Sequence, residues 1–287
     1  MVAIRSLTQH IGAEVEGVDI TGPVGVDTFA QLREALYTHA VLVFHDQHIT
    51  AQQQVAFSEG FGPLEMTMVS DPIGDGGPVG VISNVDERGE IIPPEDPRTL
   101  YTKGNTLWHS DGSFKRNPLR ASILAAKVVP PEGGETEFAS LCASYEALSA
   151  AKKTELEGLV AAHSLANSRA QIAPNLMSEA FLQETPPVQQ ALVRSIPETG
   201  KKALLVGSYA FRIIDWPPEQ GRALLKELLD WVTQPRYVYR HSWRANDLIV
   251  YDNRCCLHRG RSWDRGAYPR ILHRTTLAGD GPTVEPR

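Results

Sequence analysis

The stretch from residue 237 to residue 279 decides the fold class, because it contains four short strand-like runs in succession. They are YVYRHSW (237–243), DLIVYD (247–252), CCLHRGRS (255–262) and RILHRTTLAG (270–279). Turn-forming residues separate the runs, and short strands at this spacing are typical of a sandwich or barrel. With helices predicted elsewhere, the pattern predicts a mainly β fold with peripheral helices around a double-stranded β-helix, or jelly-roll, core.

Residues upstream of this stretch supply further strands and the helices. Strands are predicted at GAEVEGVDI (12–20), AVLVFHD (40–46), VISNV (81–85), RASILAAKVV (120–129) and TEFAS (136–140). Helices are predicted through FAQLREALYTHA (29–40), AQQQVAFSEGF (51–61), LSAAKKTELEGLVAAH (148–163) and PPEQGRALLKELLDWVTQ (217–234). Asp27, Thr50 and Ser149 are the expected N-caps of the first three, and the two prolines suit the first turn of the last.

Composition indicates one globular domain over residues 1–287. Of the 287 residues, 42% are hydrophobic and 22% are charged, values that are ordinary for a folded protein. A net charge of -6 argues against nucleic-acid or acidic-membrane partners, which need a basic surface. No apolar run reaches signal-peptide or membrane-spanning length, so a cytoplasmic protein is predicted. The three cysteines, Cys142, Cys255 and Cys256, are expected to be reduced.

The segment from 71 to 98 is rich in glycine and proline, as in DPIGDGGPVG and IIPPEDPR. A loop of this length in a compact domain is usually functional or mobile. Two interpretations stay open, an active-site lid and a surface excursion without a role. The lid interpretation covers residues 66–104.

The motif LWHSDGSF (107–114) places a histidine and an aspartate two residues apart. On a strand, His109 and Asp111 would point to the same face. His258, in CCLHRGRS, could complete a triad of two histidines and one carboxylate, the ligand set of non-haem Fe(II) oxygenases. A strand-end histidine beside a turn aspartate is the plainer interpretation, and Cys256 with His258 leaves a zinc site open.

Arg270 and Arg274 are four residues apart in RILHR, and on one strand they would share a face. Two inward guanidiniums would require anions, because a buried charge must be paired. The alternative is that both arginines lie on the surface of a basic C-terminal strand.

Five segments together resemble the Fe(II)/2-oxoglutarate-dependent taurine/2,4-dichlorophenoxyacetate dioxygenase family. They are NTLWHSDGSF (105–114), VVPPEGGETEF (128–138), SIPETGKKALLVG (195–207), DLIVYDNRCCLHRGR (247–261) and RILHRTTL (270–277), in the order of the family's signature segments. The resemblance covers nearly the whole chain. It is greater to the aryloxyalkanoate branch, which includes the 2,4-dichlorophenoxyacetate dioxygenases, than to the taurine branch.

The resemblance implies a role for seven residues. His109, Asp111 and His258 match the iron ligands, which are also the catalytic centre. Arg270 and Thr136 match the residues that bind the distal carboxylate of 2-oxoglutarate, while Arg274 and Asn105 match substrate-site residues. Arg274 would hold the acidic group of the substrate and Asn105 would line the iron pocket. A guanidinium suits a carboxylate because it donates two parallel hydrogen bonds.

The resemblance also implies the reaction. The enzyme would use Fe(II), 2-oxoglutarate and O2, with ascorbate stimulating it, and would hydroxylate the carbon next to the ether oxygen of an aryloxyalkanoate. The products would be a phenol, glyoxylate, succinate and CO2. The first alternative is the same chemistry on taurine, an alkyl sulfonate or a sulfate ester, and the remote ones are a zinc hydrolase and a non-catalytic jelly-roll binding protein. A small anionic substrate and a homo-oligomer are expected as partners.

Some substrate contacts are less well defined by sequence. An apolar wall could come from five side chains: Met66, Met68, Phe114, Tyr209 and Phe211. Arg88 and Arg98 are the bases of the 71–98 loop, and neither is assigned as a second positive contact. Tyr251 stands where the family commonly has Trp, a change expected to affect packing only. Gly207 and Ser208 stand where many relatives carry Asn.

Overall fold

The computed structural model describes residues 2–284 and contains fifteen strands. These are β1 (Ala3–Ser6), β2 (Ala13–Glu16), β3 (Val41–Phe44), β4 (Gly80–Ser83), β5 (Ala121–Val128), β6 (Thr136–Ser140), β7 (Val160–His163), β8 (Val188–Ala191), β9 (Val193–Ser195), β10 (Lys202–Leu204), β11 (Ala210–Ile213), β12 (Val238–His241), β13 (Leu248–Asp252), β14 (Cys256–Gly260) and β15 (Ile271–Thr276). The strands predicted from sequence are therefore present; β6 has the predicted bounds, β4 begins one residue earlier, and the others are shorter than predicted.

Eight α-helices accompany the strands. They are α1 (Val26–His39), α2 (Ala51–Glu59), α3 (Pro97–Lys103), α4 (Leu141–Glu146), α5 (Ala150–Leu156), α6 (Leu165–Ala170), α7 (Glu179–Glu184) and α8 (Pro218–Val232), with short 3-10 turns at Gly104–Thr106 and Pro235–Tyr237. Helices hold about as many residues as strands, so the fold is mixed α/β rather than mainly β. None of the helices within residues 2–284 is long and apolar enough to cross a membrane.

The strands form one large sheet and three smaller ones. The large sheet has seven strands in the order β1-β2-β3-β13-β5-β15-β4, in which β2 and β3 are parallel and the other neighbours are antiparallel. A second antiparallel sheet has the order β12-β6-β14. The last four predicted strands are thus divided between two sheets: β13 and β15 lie in the large one, and β12 and β14 in the small one.

The large sheet is buried on both faces at its centre. In β13, Ile249 and Tyr251 join the hydrophobic cluster that contains Phe138 and Leu257 of the small sheet. Its alternate residues, such as Leu248, belong to a second cluster with side chains of α1 and α2. Burial on both faces explains why DLIVYD reads as a continuous apolar run rather than an alternating one. Two sheets that enclose a shared core are compatible with a jelly roll, whose full connectivity stays a prediction.

Helix ends agree with the sequence prediction at two caps and differ at two other places. Thr50 forms a capping box with Gln53, and the Ser149 side chain accepts a hydrogen bond from the backbone N of Lys152. The predicted Asp27 cap is wrong, because α1 begins at Val26 and its N-cap is Gly25. The helix predicted over 148–163 is also wrong beyond Leu156: Gly158, with φ of 73°, follows the helix and leads into β7.

Candidate metal centre

Three side chains that can bind a metal meet in the interior between the two main sheets. His109, Asp111 and His258 are all buried, and one potential ligand atom from each lies within 4.8 Å of the others. In the part of the chain that the structure describes, no other group of three His, Cys, Asp or Glu side chains gathers in this way. The residues that the sequence singled out as a triad are therefore neighbours in space.

Backbone hydrogen bonds hold the two histidines together. The backbone N of His109 donates to the carbonyl of His258 at 3.0 Å, and the N of His258 donates to the carbonyl of His109 at 2.8 Å. Their ring centroids are 4.2 Å apart. The expected strand through His109 and Asp111 is wrong, since His109 forms a single isolated bridge and Asp111 begins a turn. Gly112, with φ of 65°, makes that turn possible.

The orientation of His109 is fixed by a backbone carbonyl. Its Nδ1 lies 2.7 Å from the carbonyl oxygen of Leu107, which can only accept, so Nδ1 carries the proton. Nε2 is left with its lone pair, 3.7 Å from Oδ1 of Asp111. Nε2 of His258 lies 3.9 Å from the same oxygen. Two imidazole nitrogens and one carboxylate oxygen thus converge.

The other carboxylate oxygen of Asp111 is fixed by hydroxyl groups. Oδ2 accepts hydrogen bonds from Ser122 Oγ at 2.8 Å and from Tyr251 OH at 2.7 Å. Asn253 supports the arrangement, because its Oδ1 accepts from the backbone N of Asp111 and its Nδ2 donates to Ser122. The expectation that Tyr251 affects packing only is wrong, since its hydroxyl positions a candidate ligand.

Electrostatics leave the three groups in the forms that bind a metal. Burial lowers the pKa of both histidines, that of His109 to about 3 with a contribution from His258, so both rings are neutral. Burial alone would raise the pKa of Asp111, but Arg274 and the two histidines hold it below its usual range. Two neutral imidazoles and one carboxylate are a donor set that fits Fe(II) and other divalent ions.

A thiolate site for zinc gains no support from the structure. Sγ of Cys256 lies 3.3 Å from the carbonyl of Asp252, to which it donates, and burial raises the pKa of Cys256 well above its usual value. This thiol therefore stays protonated, and it is not among the side chains that gather at the triad. All three cysteines are free, as predicted.

A small cavity beside the triad contains Arg270 and Thr136. Nε of Arg270 donates to the carbonyl of Gly134 at 3.1 Å, and its guanidinium lies 5.2 Å from the centre of the Trp263 ring. Burial and Arg265 lower the pKa of Arg270 to about 10, so it remains charged at neutral pH. Within residues 2–284, no carboxylate lies within ion-pair distance of it. The cavity therefore presents a buried positive charge that no described residue neutralises.

Thr136 in the same cavity can act as a donor. Its Oγ1 accepts a hydrogen bond from Nε1 of Trp243 at 2.9 Å, which leaves the hydroxyl proton available. Both Thr136 and Arg270 line the cavity together with His109 and His258. A carboxylate that entered this cavity would meet one guanidinium and one hydroxyl donor next to the candidate metal site.

A second pocket, which Asp111 helps to line, adjoins the first cavity at Asn105 and Arg274. Arg274 and Asn105 line both cavities, and Nη1 of Arg274 donates to Oδ1 of Asp111 at 3.1 Å. The apolar part of the second pocket comes from eight side chains: Met66, Met68, Ile73, Tyr101, Phe114, Leu119, Leu165 and Tyr209. Of the five side chains proposed for an apolar wall, only Phe211 does not line it; this residue lies in β11.

Sequence reasoning missed two groups in this region. Ser122, Tyr251 and Asn253 support Asp111, and Arg169 lines the second pocket from α6. The DNR segment around Asn253 offered a signal for the first group. Nothing in the local pattern at Arg169 distinguishes it from a surface arginine near a helix C-terminus.

Comparison with known proteins agrees with this geometry. The sequence model of the family described as "Taurine catabolism dioxygenase TauD, TfdA family" matches residues 3–276. The alpha-ketoglutarate-dependent 2,4-dichlorophenoxyacetate dioxygenase of Cupriavidus pinatubonensis is 39% identical, over 96% of this chain and 98% of that protein. The alkylsulfatase of Acinetobacter baylyi is 30% identical, over 98% of this chain and 86% of that protein.

A solved structure extends the likeness to three dimensions. The crystal structure of AAD-2 in complex with Mn(II) and N-oxalylglycine has a TM-score of 0.92 and 39% identity, and each chain covers 100% of the other. N-oxalylglycine is an analogue of 2-oxoglutarate, which is also called alpha-ketoglutarate. The sequence match, the shared fold and the buried His-Asp-His group lead to one conclusion: the chain belongs to the TauD, TfdA family of 2-oxoglutarate-dependent dioxygenases.

Proposed function

We propose that the enzyme is an Fe(II)- and 2-oxoglutarate-dependent dioxygenase that hydroxylates the carbon next to the ether oxygen of an aryloxyalkanoate such as 2,4-dichlorophenoxyacetate. One oxygen atom of O2 enters the substrate and the other enters succinate, with release of CO2. The hydroxylated carbon is a hemiacetal, which breaks down to a phenol and glyoxylate. The observation that carries the proposal is the placement of two arginines, Arg270 and Arg274, in the cavities that border the His-Asp-His group.

In this proposal His109 and His258 would hold the iron through their imidazole rings, and Asp111 would hold it through its carboxylate. When bound, the iron supplies the activation of O2. Tyr251 and Ser122 keep the carboxylate of Asp111 oriented, because their hydroxyls donate to Oδ2 and leave Oδ1 directed at the histidines. Under this proposal the fold would hold the ligand side chains in position without the metal.

The proposed site for 2-oxoglutarate is the cavity that contains Arg270 and Thr136. A carboxylate would neutralise the buried guanidinium, which has no anionic partner among residues 2–284, and would accept a hydrogen bond from the Thr136 hydroxyl. Arg270 is held by Gly134 and Trp263, so little side-chain freedom is lost on binding. The relative AAD-2, whose structure contains N-oxalylglycine, supports this assignment.

The proposed substrate site is the second pocket. Arg274 reaches Asp111, so a carboxylate bound to Arg274 lies beside the candidate metal site. In an aryloxyacetate, the carbon that bears the carboxylate is also the carbon next to the ether oxygen. Anchoring the acid at Arg274 therefore brings this carbon close to the metal, while Met66, Met68 and Phe114 can contact the ring. Asn105 lines the boundary of the two cavities.

Taurine, an alkyl sulfonate or a sulfate ester is the second candidate substrate. A guanidinium pairs with a sulfonate as well as with a carboxylate, and the alkylsulfatase from Acinetobacter baylyi is also a relative. Identity to the 2,4-dichlorophenoxyacetate dioxygenase is higher, at 39% against 30%. This difference favours the aryloxyalkanoate.

We also propose that residues 66–104 act as a lid. Met66, Thr67, Met68, Asp71 and Tyr101 from this segment contribute to the wall of the second pocket. A movement of the segment would open that pocket to solvent, and its closure would shield the reacting carbon from water. A homo-oligomer, a cytoplasmic location and stimulation by ascorbate remain predictions from the sequence.

The test of the proposed function is succinate formation by the purified enzyme with Fe(II), ascorbate, 2-oxoglutarate and O2. The panel contains phenoxyacetate, 2-phenoxypropionate, taurine and an alkyl sulfate. We expect the phenoxy acids to stimulate succinate formation with an equal yield of phenol. Stimulation by taurine or the sulfate alone would move the substrate to the second candidate, and no stimulation by any member would contradict the proposal.

The Arg274→Ala variant tests the substrate site. We expect it to keep a slow, uncoupled turnover of 2-oxoglutarate and to lose stimulation by the phenoxy acid, because the anion has lost its main partner. Asp111→Ala is the control for the metal, and it should abolish both activities together with metal binding. Wild-type substrate affinity in Arg274→Ala would contradict the assigned role.

A further inference from the structure

The second pocket contains another buried arginine, Arg169, whose role the proposed function does not explain. This residue, near the end of α6, is 5% exposed. Its guanidinium carbon lies 4.5 Å from the centre of the Tyr101 ring. On another side it fills the space next to Gly104, where an added Cβ would stand 2.2 Å from Nη1. Arg169 is therefore packed against the backbone of the turn that carries Asn105.

The charge of Arg169 has no carboxylate partner among residues 2–284. Its guanidinium contacts the Tyr101 ring, and its Nε is buried without a hydrogen-bond partner. Burial by itself lowers the pKa of Arg169, but Tyr209, Tyr101 and Asp71 raise it, so the guanidinium stays charged. Asp71 acts on it without coming within ion-pair distance. An unpaired buried charge with an unused donor is costly unless a ligand pairs with it.

Arg169 lies close to the candidate metal site. It lines the same pocket as Arg274, Asp111 and Asn105. After burial and His258, its charge is one of the causes that lower the pKa of His109. The Tyr209 hydroxyl interacts electrostatically with both Arg169 and Arg274, and its ring is 5.9 Å from that of His109. Two guanidiniums therefore face one pocket.

The other cations near this pocket already have partners or lie in solvent. Lys115 lines the pocket, but its Nζ is 2.6 Å from Oε1 of Glu65. Arg98 is paired with Asp96 at 3.0 Å, and Arg88 is exposed. Arg274 itself donates to Asp111, which offsets its charge. Arg169 is thus the pocket cation whose charge is least compensated.

We propose that Arg169 is a second positive contact for the anionic group of the primary substrate, acting together with Arg274. The inference rests on the proposed function only in that the primary substrate must be a small organic anion. A carboxylate or sulfonate has enough oxygen lone pairs to accept hydrogen bonds from two guanidiniums at once. Two such donors select an anion over a neutral molecule of the same shape, because the neutral molecule leaves both charges unpaired.

The test measures binding without turnover. Wild-type enzyme and variants are loaded with Mn(II) and N-oxalylglycine, and the dissociation constants of phenoxyacetate and of the neutral phenoxyacetamide are measured by calorimetry. For Arg169→Gln we expect phenoxyacetate to bind about 10- to 100-fold more weakly, with little change for the amide. The matched control is Arg120→Gln, because Arg120 is paired with Glu198 and does not line this pocket, and we expect a change of less than about 2-fold.

The preference for the acid over the amide decides between a contact role and a structural one. If Arg169→Gln keeps the wild-type preference, or weakens both ligands equally, the inference is overturned. If the wild-type enzyme binds taurine or an alkyl sulfate instead of phenoxyacetate, the proposed aryloxyalkanoate activity fails. Arg169 is then tested by the same variants with that anion and its neutral analogue. Absence of binding by every anion overturns the inference as well.

A measurement on the wild-type protein covers the case in which Arg169→Gln does not fold. In a crystal structure of the complex with Mn(II), N-oxalylglycine and phenoxyacetate, we expect an Arg169 nitrogen within hydrogen-bond distance of the substrate carboxylate. A carboxylate that contacts Arg274 but not Arg169 overturns the inference. Arg169→Lys, which retains the charge but not the fork of donors, should keep part of the preference.

Discussion

Arg254 and Arg270 are two buried arginines with opposite surroundings. Arg254 is 1% exposed and forms ion pairs with Asp252 at 2.9 Å and with Glu198 and Asp280 at 3.0 Å. Arg270 is 6% exposed and contacts a carbonyl oxygen and the Trp263 ring, with no carboxylate from residues 2–284 in reach. The two residues therefore share chemistry and burial but not partners.

The difference distinguishes two kinds of buried arginine: one is paired with carboxylates of the chain and stabilises the fold, and the other is unpaired and can bind an anionic ligand. Burial lowers the pKa of both arginines, yet Asp252 and Glu198 raise that of Arg254 above its usual value, while that of Arg270 stays at about 10. Where the chain supplies the anions, the arginine joins distant segments, here β13 with residues 198 and 280. Where no described residue supplies an anion, as at Arg270, the anion must come from a ligand.

Removal of Arg254, the arginine that is paired within the chain, should have the largest effect on stability. We expect Arg254→Met to lower the free energy of unfolding by about 3–5 kcal/mol, because Asp252, which is 1% exposed, is left buried and unpaired. Urea denaturation of the metal-free protein measures this. Arg120→Met is the matched control, since Arg120 also pairs with Glu198 but its side chain is 22% exposed, and it should cost less than about 1 kcal/mol.

An equal and small loss of stability in both variants would contradict the comparison. It would mean that the carboxylates around Arg254 find solvent or other partners when the guanidinium is removed. A larger loss of unfolding free energy in Arg254→Met than in Arg120→Met would confirm that burial determines how much these ion pairs contribute to stability.

Removal of Arg270, the arginine without a carboxylate partner, should weaken ligand binding without destabilising the fold. We expect Arg270→Met to bind 2-oxoglutarate about 10- to 100-fold more weakly, since the distal carboxylate loses a charged donor. The ligand-free variant should be as stable as the wild type or slightly more so, because an uncompensated buried cation is removed. Calorimetry with Mn(II) and N-oxalylglycine, together with urea denaturation, measures both. A strongly destabilised variant with normal affinity would reverse the assignment.

His163 extends the comparison to a buried base that the fold keeps uncharged. Burial lowers the pKa of His163 to about 3, and its Nε2 has no hydrogen-bond partner. The unfolded chain, with the usual pKa near 6.5, binds more protons between pH 6.5 and 3, so acid favours unfolding in this window. His163 contributes on the order of 1 kcal/mol per pH unit there.

The measurement is the urea midpoint of the metal-free protein as a function of pH. The stability of His163→Gln should fall less steeply than that of the wild type from pH 6.5 downward, and the two slopes should agree above pH 7. Glutamine can retain the contact that Nδ1 of His163 makes with Ser113 Oγ at 3.2 Å. Identical slopes across the acid range would show that His163 is not buried as a neutral base.

Sequence alone predicted the parts of this site that rest on short patterns. His109, Asp111 and His258 could be found because the segments that contain them resemble the signature segments of the family, whereas their spacing alone left other interpretations open. Arg270 and Arg274 could be found because RILHRTTL resembles a signature segment of the family, whereas their spacing alone also allowed two surface arginines. The apolar runs of β3, β5 and β13 were also predictable, since burial on both faces leaves no polar alternation.

The remaining features depend on contacts between residues far apart in the chain. In the sequence, Arg169 cannot be distinguished from a surface arginine near a helix end. Only its tertiary contacts with Gly104 and Tyr101 show that it is buried. The role of Tyr251 follows from the approach of Asp111, which is 140 residues away in sequence. The helix predicted over 148–163 fails because tertiary pairing with β8 and β11 draws Val160–His163 into a strand.

The reciprocal backbone bonds between His109 and His258 have a consequence for the order of events during synthesis. These residues are 149 positions apart, and a contact of such long range forms late, since the intervening chain must first be brought together. A nascent chain that ends before residue 258 presents two of the three proposed ligands and cannot close the metal site. Iron loading would therefore follow the meeting of β14 with the 107–111 segment, so metal uptake would report the completion of folding.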